Sequence, residues 1–173
     1  MTSLELLSPA GVLAYLEVAF RLVLAVALAG LLGWDRESKD RPAGLRTYML
    51  IALAAAVFTV LTFEIFESVG GRNDSNADPI RIIEAVTAGV AFLAAGTIIQ
   101  GRDTVRGITT GAGMWMAGAL GVAAGTGQYV LGIVAALLSF AILRFLALLQ
   151  EPEPEPEDKK AASVTLIDES EET

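Results

Sequence analysis

Long apolar runs, separated by short polar segments, make up the pattern of hydrophobic and polar positions along this chain. The runs predict five helices, which cover Ser8 to Trp34, Leu45 to Phe66, Asp78 to about Gln100, Ile108 to about Ala124 and Gln128 to Leu149. About 20 apolar residues suffice to cross the hydrocarbon part of a bilayer. The pattern therefore predicts an all-α fold, a polytopic membrane helix bundle with about five transmembrane helices.

In the third predicted helix, residue size varies around the helix more than polarity does. Asp78 and Pro79 are typical of a helix start, since a carboxylate caps free N–H groups and proline suits the first turn. The small face holds Glu84, Ala88, Ala91 and Ala95, with Gly89 and Gly96 beside it. Because small residues let membrane helices approach one another, we expect this face to be packed, with Glu84 pointing into it and the bulky residues toward lipid.

The fourth predicted helix carries a ridge of small residues four positions apart. A glycine costs an ordinary soluble helix about 1 kcal/mol, so the high glycine content indicates close contact with another helix. One interpretation is a structural homo-oligomer held together by this ridge. The ridge consists of Gly113, Ala117, Gly121 and Gly125.

Charge is unevenly distributed along the chain. Basic residues concentrate in residues 34–47 and 101–107, and the positive-inside bias then predicts an N-terminus outside and a cytoplasmic C-terminus. The chain has 173 residues and a formal net charge of −8, and nine of its 20 acidic residues lie in residues 151–173, where proline and glutamate alternate. We expect residues 1–150 to form a transmembrane domain and residues 151–173 an acidic, disordered tail. No basic patch indicates nucleic acid.

Cysteine and histidine are absent from the sequence. Their absence excludes thiolate and imidazole metal sites and nucleophilic catalysis by Ser-His or Cys-His pairs. Any bound cation would need oxygen ligands, which favour hard ions such as Mg²⁺. We therefore expect no cofactor, with Mg²⁺ as a possible bound ion.

Ionisable residues inside the apolar runs form the first candidate site. Glu17 and Arg21 share a helix face, and because a charge left in lipid costs roughly 3 kcal/mol or more, they form either a neutralised structural pair or part of an ion or proton pathway. A second group at the outer end of the third helix also has two interpretations; it consists of Asp78, Arg81 and Glu84. They are either an N-cap with a local ion pair or, together with Glu17 and Arg21, an oxygen-lined cation or proton site.

A second candidate set lies on the predicted cytoplasmic side. It is either an orientation signal with helix caps or a docking surface or internal gate. The set consists of Arg36, Glu37, Arg41, Gly44, Arg46, Thr47, Arg106, Thr109 and Thr110.

Three segments resemble the signatures of the MgtC/SapB family of bacterial inner-membrane proteins. They are GWDRESKDRPAGLRTYMLIAL, DPIRIIEAVTAGVAFLAAGTII and VRGITTGAGMWMAGALGVAAGTGQY, in that order, and the resemblance covers roughly residues 15–148. The chain departs from the family pattern at Ala91, Ala94 and Ala95, where glycine is usual. It also has only the acidic tail where many relatives continue into a soluble domain.

The resemblance implies a multi-pass protein of the bacterial inner (plasma) membrane, from a family associated with virulence and with adaptation to low Mg²⁺. Some relatives are called magnesium-transport ATPase subunits, but this chain has no phosphate-binding loop. We expect a non-enzymatic protein of Mg²⁺ homeostasis or stress adaptation that binds and modulates a membrane partner, such as the F-type ATP synthase proposed for some members. The expected surroundings are lipid and a homo-oligomer or another membrane complex. The alternative is a Mg²⁺ or proton-coupled cation transporter that uses intramembrane carboxylates.

Overall fold

A computed structural model describes residues 9–39, 41–68, 80–101 and 104–145. Within these ranges the chain forms helices α1 (Pro9–Glu37), α2 (Leu45–Ser68), α3 (Ile80–Ala95), α4 (Ile108–Gly125) and α5 (Tyr129–Phe145), with strands β1 (Ile99–Gln100) and β2 (Val105–Arg106) between α3 and α4. The all-α prediction is confirmed. Asp78 and the predicted tail, residues 151–173, lie outside the described residues.

Helix α4 is the centre of the bundle, because it packs against each of the other four described helices. The α1–α2 and α2–α4 interfaces are the most extensive, whereas α1 and α3 are at most in marginal contact. Buried alanines dominate the core, with Tyr48, Leu32, Leu120 and Thr59 as its largest fully buried side chains. Small residues therefore allow the helix backbones to lie close together.

The glycine ridge of α4 packs against α2 of the same chain. A Cβ at Gly121 would overlap the carbonyl oxygen of Ala52, and a Cβ at Gly125 would lie 2.8 Å from the Cβ of Thr59. Both glycines are buried. The interpretation of this ridge as an oligomer surface is therefore wrong, since α2 already occupies it.

Helix α3 packs through a different face from the one its small residues predict. Val86, Val90 and Ala94 are buried, whereas Glu84 is exposed and a Cβ at Gly89 would have no neighbour within 4 Å. The reason is that Val90 of α3 packs directly against Gly118 of α4. A Cβ at Gly118 would lie only 2.9 Å from a Val90 methyl group. The small residues of this interface come from α4, so the expectation that Glu84 points into the packed face is wrong for this chain.

The third helix ends at Ala95, earlier than predicted. Both the amide and the hydroxyl of Thr97 donate hydrogen bonds to the carbonyl oxygen of Ala94, at 3.0 and 2.7 Å. The β-branched residues that follow favour extended backbone, and Ile99 pairs with Arg106 in an antiparallel hairpin. The segment predicted as the end of α3 and a loop is thus partly a short β-hairpin.

Large apolar side chains cover the outside of the bundle. Phe92, Val130 and Leu13 are 78%, 77% and 68% exposed, and many other large apolar residues are exposed on all five helices. Helices α1 and α2 are long and apolar enough to cross a membrane, while α5 is a shorter apolar helix. The number of crossings and their orientation stay predictions.

Candidate functional site

The end of α1 and the start of α2 are joined by a tight polar connection. The Glu37 carboxylate accepts a hydrogen bond from the Leu45 amide at 2.7 Å, so an acidic side chain satisfies a free N–H group at the first turn of α2. Gly44 leaves room for this contact, because a Cβ there would displace the Glu37 carboxylate from its present position. The Arg36 carbonyl accepts a hydrogen bond from the Arg41 amide at 3.2 Å and so helps to close the turn. We call this part of the bundle, with the start of α4, the charged end.

Lys39 joins the charged end to α5 while it is paired with Asp35. Asp35 is only 6% exposed, and the Lys39 ammonium donates to its carboxylate at 2.9 Å and to the Leu143 carbonyl at 3.4 Å. A cation near the last turn of a helix also interacts favourably with its dipole. Neither Asp35 nor Lys39 was predicted as a site residue, although their four-residue spacing on a helix was the available signal.

A buried hydrogen bond connects α2 with the first turn of α4. The Tyr48 hydroxyl donates to the Thr110 carbonyl at 3.2 Å, and the two residues are 0% and 3% exposed. Gly113 makes room for the ring, because a Cβ there would overlap the hydroxyl. Tyr48 was also missed in the sequence, since a tyrosine in an apolar run reads as an ordinary core residue.

Arg36 is buried in the same place, with 5% of its surface exposed. Its guanidinium interacts with the Tyr48 hydroxyl. Its Nε and Nη2 atoms are buried and find no hydrogen-bond acceptor among the described residues. The charged end therefore contains a cationic group whose donors are only partly satisfied.

The second candidate set thus divides into two groups. Arg36 and Thr110 lie in the buried cluster, and Gly44 and Thr47 are partly buried. The remaining members lie at the surface: Glu37, Arg41, Arg46, Arg106 and Thr109.

Glu17 and Arg21 do form an ion pair on α1. Arg21 also donates from Nη1 to the carbonyl of Gly125 at 3.0 Å, at the end of α4. Next to the pair, the rings of Phe20 and Tyr129 meet edge to face with centroids 5.4 Å apart. Arg21 therefore joins α1 to the α4–α5 turn while half of the Glu17 side chain remains exposed.

The described residues do not bring the Glu17–Arg21 pair together with Arg81 and Glu84. Both Arg81 and Glu84 are exposed on α3, which is at most in marginal contact with α1. The described part of the chain holds no cluster of three or more acidic side chains that could bind a metal ion. Asp78, the third carboxylate of the predicted site, lies outside it.

A bundle with small residues at its helix contacts and large apolar side chains on its outside has the construction of a helical membrane protein. A sequence profile of the MgtC family matches residues 22–151. The chain belongs to the MgtC family.

Similarity to individual relatives supports this assignment. The chain is 35% identical over 127 residues to the "Putative magnesium transporter YhiD" of Escherichia coli K12, a match that covers 73% of this chain and 59% of that protein. It is 34% identical over 148 residues to protein SrpB of Synechococcus elongatus, covering 79% and 78% of the two chains. It is 36% identical over 118 residues to protein MgtC of Brucella abortus, covering 68% of this chain and 46% of that one. No solved structure matches the chain.

Proposed function

We propose that the protein is a multi-pass inner-membrane protein that serves Mg²⁺ homeostasis or stress adaptation by binding and modulating a membrane partner. Membership of the MgtC family is the observation that carries the proposal. The charged end and the exposed face of α3 are the surfaces on which a partner could act. The F-type ATP synthase is the partner to test first, since the family resemblance implies it for some members.

The alternative is a cation transporter, and the name given to YhiD is the observation that favours it. The positions of the carboxylates favour modulation instead. Glu17 is paired with Arg21, and Glu84 lies on a helix that shares no substantial interface with α1. A carrier would need oxygen ligands that converge on one cation.

Flux and partner capture distinguish the two functions. The full chain is reconstituted in liposomes, and Mg²⁺ and proton flux are measured with entrapped dyes, with Glu84→Gln and Glu17→Gln as matched variants. Modulation predicts no flux above empty liposomes, together with co-purification of ATP synthase subunits from native membranes. Flux that disappears in Glu84→Gln would establish transport.

Topology is a separate test of the same proposal. Five crossings with the N-terminus outside place the C-terminus in the cytoplasm, where a C-terminal alkaline phosphatase fusion is inactive and a fluorescent protein fusion is bright. An active phosphatase fusion would contradict this orientation.

A further inference from the structure

Three exposed arginines lie at the charged end, and we call them the basic surface. Arg46 lies in the first turn of α2, Arg106 in β2 just before α4, and Arg144 in the last turn of α5. The contacts of α1 with α5 and of α2 with α4 described above bring these helix ends together. All three arginines are exposed, and none forms an ion pair with a carboxylate of the described residues. The basic surface is therefore open to an anionic partner.

The chain itself contains charge of the opposite sign. Residues 34–47, residues 101–107 and Arg144 together hold seven basic and four acidic residues, when every carboxylate is counted as charged. Residues 151–173 hold nine acidic residues against two lysines. A net positive end of the bundle is thus followed in the chain by a strongly negative tail, and the two attract each other.

The acidic residues begin within reach of the basic surface. Phe145 is the last described residue of α5, directly after Arg144, and Glu151 follows six residues later. Six residues span at most about 20 Å when fully extended, and neighbouring helix axes in a bundle lie about 8–10 Å apart. The glutamates that start at Glu151 can therefore reach all three arginines.

The sequence of residues 151–157, which we call the acidic segment, suits such a contact. Glutamate and proline alternate through it, and proline favours an extended polyproline II backbone. This backbone rises about 3.1 Å per residue, so successive carboxylates lie about 6 Å apart along its axis. Because proline already restricts the chain, less conformational entropy is lost on binding than for a flexible segment.

We propose that the acidic segment docks on the basic surface of the same chain, with its glutamates paired to Arg46, Arg106 and Arg144. Each exposed ion pair is weak on its own, but several form together, and the segment is tethered at an effective concentration in roughly the millimolar range. A membrane partner that binds the charged end must then displace the acidic segment. Docking is independent of the proposed function, because both elements belong to this chain.

Cross-linking without a spacer tests the contact. Arg106→Lys keeps the positive charge and supplies an amine, and a carbodiimide joins an amine to a carboxylate only where the two touch. The full chain with this substitution is treated in a neutral maltoside detergent, digested and examined by mass spectrometry. We expect amide links from position 106 to glutamates of the acidic segment.

Gln128→Lys is the matched control, because it places an exposed lysine at the turn between α4 and α5. The length of α4, about 27 Å, separates this turn from the basic surface, so we expect at least about tenfold fewer links there.

A second comparison separates docking from a tail that is held nearby only by its covalent attachment. Arg46→Gln and Arg144→Gln are added to Arg106→Lys, which leaves every reactive group in place. If the basic surface holds the acidic segment, the yield of links falls at least about threefold, and 1 M NaCl, at which the Debye length is about 3 Å, lowers it similarly. The salt comparison needs only Arg106→Lys, so it decides the matter even if the triple variant does not fold. An unchanged yield in either comparison would overturn the proposal, as would the absence of links from position 106.

Nanodiscs distinguish the acidic segment from lipid as the occupant of the basic surface. The cross-linking of Arg106→Lys is repeated in phosphatidylcholine, which has no net charge, and in a mixture that contains phosphatidylglycerol. We expect links in both, because the acidic segment is tethered to the surface that it binds. Links that disappear only with phosphatidylglycerol would assign the surface to anionic headgroups and overturn the acidic segment as its occupant.

Discussion

Gly121 of α4 lies so close to α2 that a side chain there would overlap the carbonyl oxygen of Ala52. The same Cβ would lie 2.7 Å from the Cβ of Ala55. The neighbouring atoms are backbone and a short side chain, which cannot swing away as the tip of a long side chain can. Helices α2 and α4 can therefore lie this close together only because residue 121 has no side chain.

Gly121→Ala should destabilise the protein, because the two helices must move apart to admit one methyl group. We expect a loss of roughly 1–3 kcal/mol, which is typical of overpacking in a well-packed core. Reversible unfolding in mixed detergent, followed by circular dichroism, measures it. Gly89→Ala is the matched control on α3, where a Cβ has no neighbour within 4 Å, and it should change stability by no more than about 0.5 kcal/mol. Equal effects of the two substitutions would contradict this packing.

Gly107 is expected to be equally sensitive for a different reason. Its φ of +89° lies in the left-handed region, and a Cβ would overlap the carbonyl oxygen of Thr97. The conformation alone costs an alanine roughly 1–2 kcal/mol, so Gly107→Ala should lower stability by at least that amount. Gly101→Ala, in the same hairpin and with its nearest contact at 3.4 Å, should cost less. Thermal unfolding of both variants in one detergent compares them, and a larger loss for Gly101→Ala would refute the argument.

Helix positions could be predicted from this sequence because local chemistry marks them. The predicted starts at Leu45 and Ile108 agree with the structure, since Gly44 and Gly107 interrupt the chain just before them. The packed face of α3 could not be predicted in the same way. A stripe of small residues shows where a neighbour can approach, but it does not show which helix of an interface supplies the small residues, and here Gly118 of α4 receives Val90 of α3.

The candidate site was predictable only in part. The sequence placed Arg36 and Thr110 in one set, because both lie near polar segments on the predicted cytoplasmic side. It did not indicate that Arg36 is buried or that Tyr48 contacts Thr110. Those facts depend on how closely α2 approaches α4, and this distance is set by glycines more than 60 residues further along the chain.

Tyr48→Phe should reveal the value of the buried hydrogen bond. The substitution keeps the ring but removes the 3.2 Å hydrogen bond to the Thr110 carbonyl. Because Thr110 lies within α4, its carbonyl can still accept a hydrogen bond of the helix, so we expect a loss of about 0.5–1.5 kcal/mol, the net value of one hydrogen bond. Tyr15→Phe, at a tyrosine that is 54% exposed on α1, should be nearly neutral. Unfolding free energies of the two variants in the same detergent provide the comparison. A Tyr48→Phe variant as stable as wild type would show that this hydrogen bond does not stabilise the bundle.

Glu17 and Arg21 can be assigned to structure or to an ion pathway by separating stability from flux. Arg21 donates to Gly125 at the end of α4, so Arg21→Gln should destabilise the bundle by about 1–3 kcal/mol through the loss of a charge-assisted hydrogen bond. Glu17 is half exposed, and Glu17→Gln should cost less than about 1 kcal/mol, as for other exposed pairs. If the pair is structural, proteoliposomes with Glu17→Gln will show the same Mg²⁺ and proton flux as wild type. A folded Glu17→Gln variant that loses a flux present in wild type would assign the carboxylate to a pathway, because its effect could then not be attributed to stability.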